Sequence, residues 1–427
     1  MPKSKTVFVC KECGNESPRW EGQCRACGAW NTLEEMEAIP HSFGRGGKTS
    51  SKSSKKSASA EKITPKPLSS IDPSEFKRVT TGIPELDRTI GGGLISGQVI
   101  LLGGHPGIGK STLLLQVAST FNKKVLYASG EESESQIALR ADRLKIKTDQ
   151  IEIMPTGNVD AILEAADNTH SGTGKHDLII IDSIQVMYTD DVESQAGSIT
   201  QIRECAARIV TFAKSENIPV IIVGHITKEG SIAGPKILEH MVDTVLYLEG
   251  DRQHLFRMMR VNKNRFGDDS EVGIFSMDTN GLQGVSNPSS ILLADSTAGS
   301  IGTAVAIVLE GSRPLAVEVQ ALTTKTSFGY PKRAVSGFSL NRLQLLCAVI
   351  QKKMNLNLLD QDVYLNIASG LNVKEPAVDL AVCAAIVSSF TERAVKSGTV
   401  FFGEVGLSGE VRNVVAADRR IKESKNL

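Results

Sequence analysis

Two pairs of cysteines near the amino terminus have a spacing that predicts metal chemistry. Two residues separate the members of each pair and ten residues separate the pairs, which are Cys10 and Cys13, then Cys24 and Cys27. Four thiolates at this spacing can surround one Zn²⁺ in the closed geometry of a structural site. The alternative is a pair of disulfides, but no signal-peptide pattern precedes the cysteines. We therefore expect a zinc module over residues 1–32, in which the metal replaces a missing core and does no catalysis.

A second chemical segment follows a predicted strand at Gln98–Leu102 and opens a predicted helix at Lys110–Phe121. It fits the pattern GxxxxGK[ST], in which backbone N–H groups and a helix N-terminus hold nucleotide phosphates. Lys110 would reach the β- and γ-phosphates, and Ser111 would bind Mg²⁺. The alternative is a glycine-rich turn without a ligand. The predicted ATP-binding residues are Gly104, His105, Pro106, Gly107, Ile108, Gly109, Lys110, Ser111 and Thr112.

Acidic side chains follow two further predicted strands. Asp182 ends the apolar run that starts at Leu178, where it would complete the Mg²⁺ site with Ser111. Glu131 and Glu132 follow a strand predicted to end at Ser129. A carboxylate there would face the γ-phosphate and orient the attacking water. We favour Glu131 as the catalytic residue, with Glu132 as the alternative.

His225 follows another strand, predicted at Pro219–Val223. It is a candidate sensor that would detect the γ-phosphate and pass its loss to the loop at Glu229–Lys236. The alternative is that His225 only caps the strand. The sequence does not decide between these two roles.

Length and composition limit the class of protein. A chain of 427 residues predicts two to four domains. Lysine plus arginine and aspartate plus glutamate both number 48, so contacts with nucleic acid must come from local basic patches. No apolar run reaches the roughly 18 residues that span a bilayer, so we expect no membrane partner and a cytoplasmic protein.

Strand and helix patterns predict an α/β protein in four parts. After the zinc module, residues 33–68 contain a Gly-, Ser- and Lys-rich stretch and predict a flexible linker. Residues 69–284 alternate short apolar strands with helices, which predicts a mostly parallel sheet flanked by helices. Residues 285–427 predict a separate α+β domain, which ends abruptly and is a possible fragment lacking its C-terminus. Further predicted elements are helices at 133–144, 159–169, 198–215, 340–352, 377–389 and 416–424, and paired strands at 244–248 with 255–261 and at 302–309 with 315–321.

Several motifs together resemble a known family. Thr81-Gly-Ile-Pro-Glu-Leu-Asp87, Gly91-Gly-Gly93 and the nucleotide motifs resemble the RecA-like P-loop ATPase core. With the zinc module and the pentapeptide Lys263-Asn264-Arg265-Phe266-Gly267 (KNRFG), the whole chain is similar to the bacterial RadA (Sms) family of DNA repair proteins. The resemblance implies a hexameric ring on single-stranded DNA. It also implies ATP-driven branch migration of branched recombination intermediates, in partnership with RecA.

The KNRFG segment also has an interpretation from its residues. In an extended segment Lys263 and Arg265 would project to one side as a paired cationic tip, with Phe266 anchoring the turn. These cations would serve catalysis at a neighbouring subunit's ATP or contact DNA phosphates, and the alternative is a solvated basic turn.

The carboxy-terminal part resembles the protease domain of Lon, with one important departure. The match places Ala377 where the nucleophilic serine should be and places the lysine of the dyad at about Asp418. Because neither residue can do that chemistry, we expect a non-proteolytic platform with a further DNA-binding surface. The competing functions are an ATP-dependent protease of the Lon class and a RecA-like signalling or scaffold ATPase that does not bind DNA.

Overall fold

The structure of this protein is a computed structural model. It describes residues 6–10, 16–17, 19–25, 28, 30–37, 67, 77–167, 175–225, 237–250, 256–294, 296–327 and 329–427. The predictions for Cys13, Cys27, most of the linker and the loop at Glu229–Lys236 lie outside these residues.

The amino-terminal residues form a small antiparallel sheet. Its described strands are β1 (Thr6–Cys10), β2 (Glu16–Ser17) and β3 (Leu33–Glu37), in the order β2-β1-β3. β3 pairs with the full length of β1, so the linker does not begin at residue 33 as predicted. The sequence LEEME has few apolar residues, which is typical of a solvent-exposed linker, but its backbone pairs with β1 and completes the sheet.

The middle of the chain alternates strands and helices as predicted. The described elements are β4 (Arg78–Val79), α1 (Pro84–Ile90), β5 (Leu94–Ile95), β6 (Val99–Gly104), α2 (Lys110–Thr120), β7 (Val125–Ser129), α3 (Glu134–Leu144), β8 (Ile151–Met154), α4 (Val159–Asp167), β9 (Leu178–Asp182), α5 (Ile199–Glu216), β10 (Val220–His225), α6 (Ile237–Met241), β11 (Thr244–Glu249), β12 (Arg257–Asn264), β13 (Val272–Asp278) and β14 (Gly281–Gly284).

Most of these strands join one large sheet, which within the described residues has the order β14-β13-β12-β11-β6-β10-β9-β7-β8. The strands from β11 to β8 in this order run parallel, and β12, β13 and β14 extend the sheet as an antiparallel meander. The predicted antiparallel pairing of the strands near residues 244 and 257 is confirmed.

The central strands are apolar on both faces because helices cover both faces. Along β6, Ile100 and Leu102 pack into a core with α1, α2 and α3, whereas Val99 and Leu101 pack into a second core with α4 and α5. This alternation follows from the two-residue period of a strand. The sheet is therefore a rigid support for the residues at its edges.

The carboxy-terminal part forms a second, mixed sheet with the order β17-β18-β16-β15-β19 in the described residues. Its elements are α7 (Pro288–Leu292), β15 (Thr303–Glu310), β16 (Arg313–Lys325), β17 (Arg333–Ser336), α8 (Leu340–Met354), β18 (Gln361–Ile367), α9 (Asp379–Thr391), β19 (Val400–Phe401), β20 (Glu404–Val405), β21 (Val411–Arg412) and α10 (Ala417–Ser424). Val272 and Ile274 of β13 pack into the core of this second sheet, so the two parts of the chain share buried surface.

Candidate active site

The predicted nucleotide residues meet at the carboxyl edge of the parallel strands. Gly104, at the end of β6, lies opposite His225, at the end of β10. Ser129, at the end of β7, lies opposite Asp182, at the end of β9. Glu131 follows two residues after Ser129. Ligands of open α/β sheets bind at this edge, which places the candidate groups around one crevice.

The loop between β6 and α2 has the backbone of a phosphate-binding turn. Gly107 and Gly109 have φ values of 76° and 121°, which residues with a side chain rarely adopt. Directly after Gly109, α2 begins at Lys110 and points its free backbone N–H groups at the loop. Ser111, the candidate Mg²⁺ ligand, is half-buried in the first turn of α2. These residues fit a nucleoside triphosphate with its Mg²⁺.

Lys110 lies in the crevice and is largely buried. Its ammonium donates to the carbonyl oxygens of Gly104 (2.7 Å) and His105 (3.1 Å). Burial lowers the pKa of Lys110 to about 8, although the carboxylates of Asp182 and Glu131 act in the opposite direction. A phosphate group at this position would favour the charged form of the lysine.

Asp182 is buried and oriented by a residue that the sequence analysis missed. The hydroxyl of Tyr127 donates to Oδ2 of Asp182 at 2.8 Å. Burial raises the pKa of Tyr127 well above its usual value, so its hydroxyl stays protonated and remains a donor. A tyrosine within an otherwise apolar strand was the signal that could have identified this contact.

The two candidate catalytic glutamates have different surroundings. Oε1 of Glu131 accepts hydrogen bonds from the hydroxyl of Ser183 and from Nε2 of His225, the latter at 3.2 Å. These hydrogen bonds lower the pKa of Glu131 and keep it ionised, and the bond from His225 has the largest effect. Glu132 instead forms an ion pair with Arg140 of α3. Glu131 is thus linked through His225 to Lys110 of the phosphate loop, whereas Glu132 is held by Arg140.

The KNRFG segment lies toward the opposite edge of the sheet. Asn264 pairs with Thr244 at the start of β11, and Thr244 pairs with Ile100 near the start of β6. Gly104 lies four positions after Ile100 along β6, which at roughly 3.3 Å per residue is about 13 Å along the strand. The segment is therefore distant from the phosphate loop of its own chain.

The side chains of this segment do not form the paired cationic tip predicted from the sequence. The ammonium of Lys263 is half-buried and donates to carbonyl oxygens at the end of α6. Arg265 is half-exposed and contacts Asp243 at 3.3 Å. Phe266 is 37% exposed and is not a buried anchor, and Arg78 donates to its carbonyl oxygen. The two cations thus have separate partners within the subunit.

Comparisons with known proteins agree with this architecture. A family model described as an AAA domain matches residues 64–231, and one described as a rubredoxin metal-binding domain matches residues 8–35. The DNA repair protein RadA of Bacillus subtilis is 46% identical over 100% of this chain and 92% of its own length. RadA of Aquifex aeolicus is 47% identical over the same shares. This chain belongs to the RadA family of DNA repair proteins.

Among solved structures, the RadB recombinase matches 48% of this chain and 99% of its own, with 21% identity and a TM-score of 0.40. The RadA family membership and the AAA match support ATP hydrolysis by the central sheet. In the described residues, no helix is both long and apolar enough to cross a membrane.

The metal-binding module of this RadA-family chain is described only in part. Cys24 is buried against Leu33, and Cys10 ends β1, whereas Cys13 and Cys27 lie outside the described residues. The described residues hold no group of three metal-binding side chains. A thiol buried beside the module's small core suits a structural Zn²⁺, for which thiolate ligands are preferred.

The carboxy-terminal part of this RadA-family chain has a buried cation that the sequence analysis missed. Arg420 of α10 is fully buried and donates to both carboxylate oxygens of Glu375, at 3.0 and 2.6 Å. Ala377, two residues after Glu375, is also buried, and Asp418 is exposed. A guanidinium group has no lone pair available to act as a general base. Its pairing with Glu375 ties α10 to the segment that carries Ala377.

Proposed function

We propose that this RadA-family chain is a DNA-stimulated ATPase that forms a hexameric ring on single-stranded DNA. With RecA it would drive branch migration of recombination intermediates. The observation that carries the proposal is that the strand register offsets Asn264 of the KNRFG segment from the phosphate loop of its own chain by about 13 Å along the strand direction. Arg265 is half-exposed and is placed to reach a neighbour's nucleotide or DNA, whereas Lys263 would first have to leave its partners at the end of α6. Use at a neighbour's nucleotide requires assembly of subunits.

The hydrolytic step follows from the residues in the crevice. Lys110 and the start of α2 would hold the phosphates, and bound Mg²⁺, held by Ser111 and Asp182, would neutralise charge on them. Glu131 would orient a water for attack and accept its proton. His225 lies between Lys110 and Glu131, at 3.3 and 3.2 Å, so loss of the γ-phosphate would change its contacts directly. The loop that follows His225 would carry that change to DNA.

The competing protease function is not supported by the residues. Ala377 has no nucleophile, and the nearby buried cation, Arg420, is held by Glu375. The Lon-like part would instead contribute to assembly and DNA binding. Tyr330, 89% exposed, follows β16 together with Lys332 and offers a ring for base stacking beside a cation.

The decisive experiment is ATP turnover by the purified zinc-loaded chain, with and without single-stranded DNA. It is combined with branch migration on a synthetic three-strand intermediate with and without RecA. We expect DNA to stimulate turnover and ATP to be required for migration. Lys110→Ala should abolish both activities and leave the zinc content unchanged. Turnover that is indifferent to DNA would favour the scaffold ATPase, and degradation of casein would favour the protease.

A further inference from the structure

Two donors from different strands hold one oxygen of Glu131. Ser183, which directly follows Asp182 at the end of β9, is fully buried and donates its hydroxyl hydrogen to Oε1 of Glu131. His225, at the end of β10, contacts the same Oε1 through Nε2 at 3.2 Å. Ser183 has no role in the nucleotide motifs, and its partner is 52 residues away in the chain.

The direction of the His225 bond follows from its other neighbour. Nδ1 of His225 lies 3.3 Å from the ammonium of Lys110, which can only donate. Nδ1 must therefore accept, which leaves the hydrogen on Nε2 for donation to Glu131. Both Ser183 and His225 are thus donors to the carboxylate.

This arrangement distinguishes the two oxygens of Glu131. Oε1 receives both hydrogen bonds, and neither bond engages Oε2. The side chain is 36% exposed, so a water in the crevice can reach it. A carboxylate whose one oxygen is held from two sides cannot rotate freely, and Oε2 is then the oxygen presented to water. A fixed general base is more effective than a mobile one because the reacting geometry is set in advance.

We propose that Ser183 is a positioning residue for ATP hydrolysis, which anchors Oε1 of Glu131 so that Oε2 faces the attacking water. This inference rests on the proposed role of Glu131. The titratable and charged groups around the carboxylate are Lys110 of α2, Asp182 of β9, His225 of β10 and, beside it in the chain, Glu132 with its partner Arg140 of α3.

The test is the pH dependence of ATP turnover by Ser183→Ala in the full zinc-loaded chain. Without this donor the general base is held less firmly in the reacting geometry, so we expect kcat to fall by about tenfold. The KM for ATP should change by less than about twofold, because Ser183 is not among the phosphate-binding residues. Loss of the donor raises the pKa of Glu131, so the acidic limb of the kcat profile should move to higher pH. A purely structural role would not move that limb.

Ser129→Ala is the matched control. Ser129 is also buried at the end of a neighbouring strand, and its hydroxyl accepts from the backbone N–H of Glu132, whereas the described residues show no hydrogen bond from it to Glu131. It should leave the acidic limb in place. Ser183→Cys places a weaker donor of similar size at this position and should give an intermediate kcat. If Ser183→Ala does not fold, the kcat and the acidic limb of Ser183→Cys are measured instead. A Ser183 variant with wild-type kcat and an unmoved limb would overturn the inference, whereas a wild-type chain without ATP turnover would overturn the proposed function.

Discussion

The ammonium of Lys263 lies 2.7 Å from the carbonyl oxygen of Val242. It also donates to the carbonyl oxygens of Glu239 (2.8 Å) and His240 (3.1 Å), and so satisfies several acceptors at the end of α6. A cation at a helix C-terminus is favourable because the free carbonyl groups there carry negative partial charge. Lys263, the first residue of the KNRFG segment, therefore holds β12 against the end of α6 in the isolated subunit.

Lys263→Ala should lower the stability of the protein, because it leaves these carbonyl groups without their donor. We expect a loss of about 1–3 kcal/mol in the free energy of unfolding, measured by urea denaturation. Arg265→Ala is the comparison, since that side chain is half-exposed and its ion pair with Asp243 should contribute less than about 1 kcal/mol. Equal stability of the Lys263→Ala protein and the wild type would show that these hydrogen bonds do not stabilise the fold.

The pKa of Lys110 predicts how nucleotide binding depends on pH. Burial lowers this pKa to about 8 in the free protein, and only the charged form holds phosphate well. As the pH rises through about 8, the free protein loses that charge, so kcat/KM for ATP should fall on the alkaline side. In the kcat profile the same limb should lie at higher pH, because bound phosphate stabilises the ammonium. Steady-state kinetics between pH 6 and 10 would check this, and a kcat/KM that stays flat to pH 10 would contradict it.

Both tryptophans of the chain, Trp20 and Trp30, lie in the amino-terminal module, where they are 55% and 70% exposed. Because side chains this exposed have little buried contact area, we expect Trp20→Ala and Trp30→Ala to retain a full complement of zinc. Cys24→Ser should lose the metal, because a hydroxyl is a poor zinc ligand. Metal analysis of the purified variants would decide, and loss of zinc from either tryptophan variant would show that the indoles cover the site.

The sequence predicted strands well where burial alone sets the pattern. The run Leu178–Asp182 is a strand with the predicted bounds because it lies in the sheet interior, covered on both faces. Prediction failed where polar residues occur in strands. Leu33–Glu37 is an acidic strand whose pairing depends on a distant partner, and β12 continues to Asn264, past its predicted end at Val261.

Contacts between distant side chains could not be predicted from the sequence in the same way. The phosphate loop follows a local motif, so its place at the end of β6 was predictable. By contrast, the bonds from Tyr127 to Asp182 and from Lys263 to the end of α6 join residues separated by 21 to 55 positions. They depend on strand order and register, which a single sequence does not specify.

The boundary predicted near Gly284 is crossed by a buried ion pair. Glu85 of α1 accepts from Arg313 of β16, from Arg88 at 3.0 Å and from the backbone N–H of Ile274 at 2.7 Å. Arg313 also donates to the carbonyl oxygens of Val285, at 2.9 Å, and Ser286, at 3.1 Å. The carboxylate and guanidinium groups are thus shared between the ATPase sheet and the second sheet.

Arg313→Ala should destabilise both parts of the chain together. It leaves the buried Glu85 carboxylate without one of its cations, and breaking a buried pair in this way costs about 3 kcal/mol. Because Val272 and Ile274 belong to the core of the second sheet, we expect the parts of the chain built on the two sheets to unfold in one transition at a lower temperature. Calorimetry would measure this, with Arg412→Ala as the control, since Arg412 pairs with Glu410 at the surface and its loss should leave stability nearly unchanged. Two separate transitions, of which Arg313→Ala shifts only the one assigned to the carboxy-terminal part, would show that the shared core does not couple the two parts.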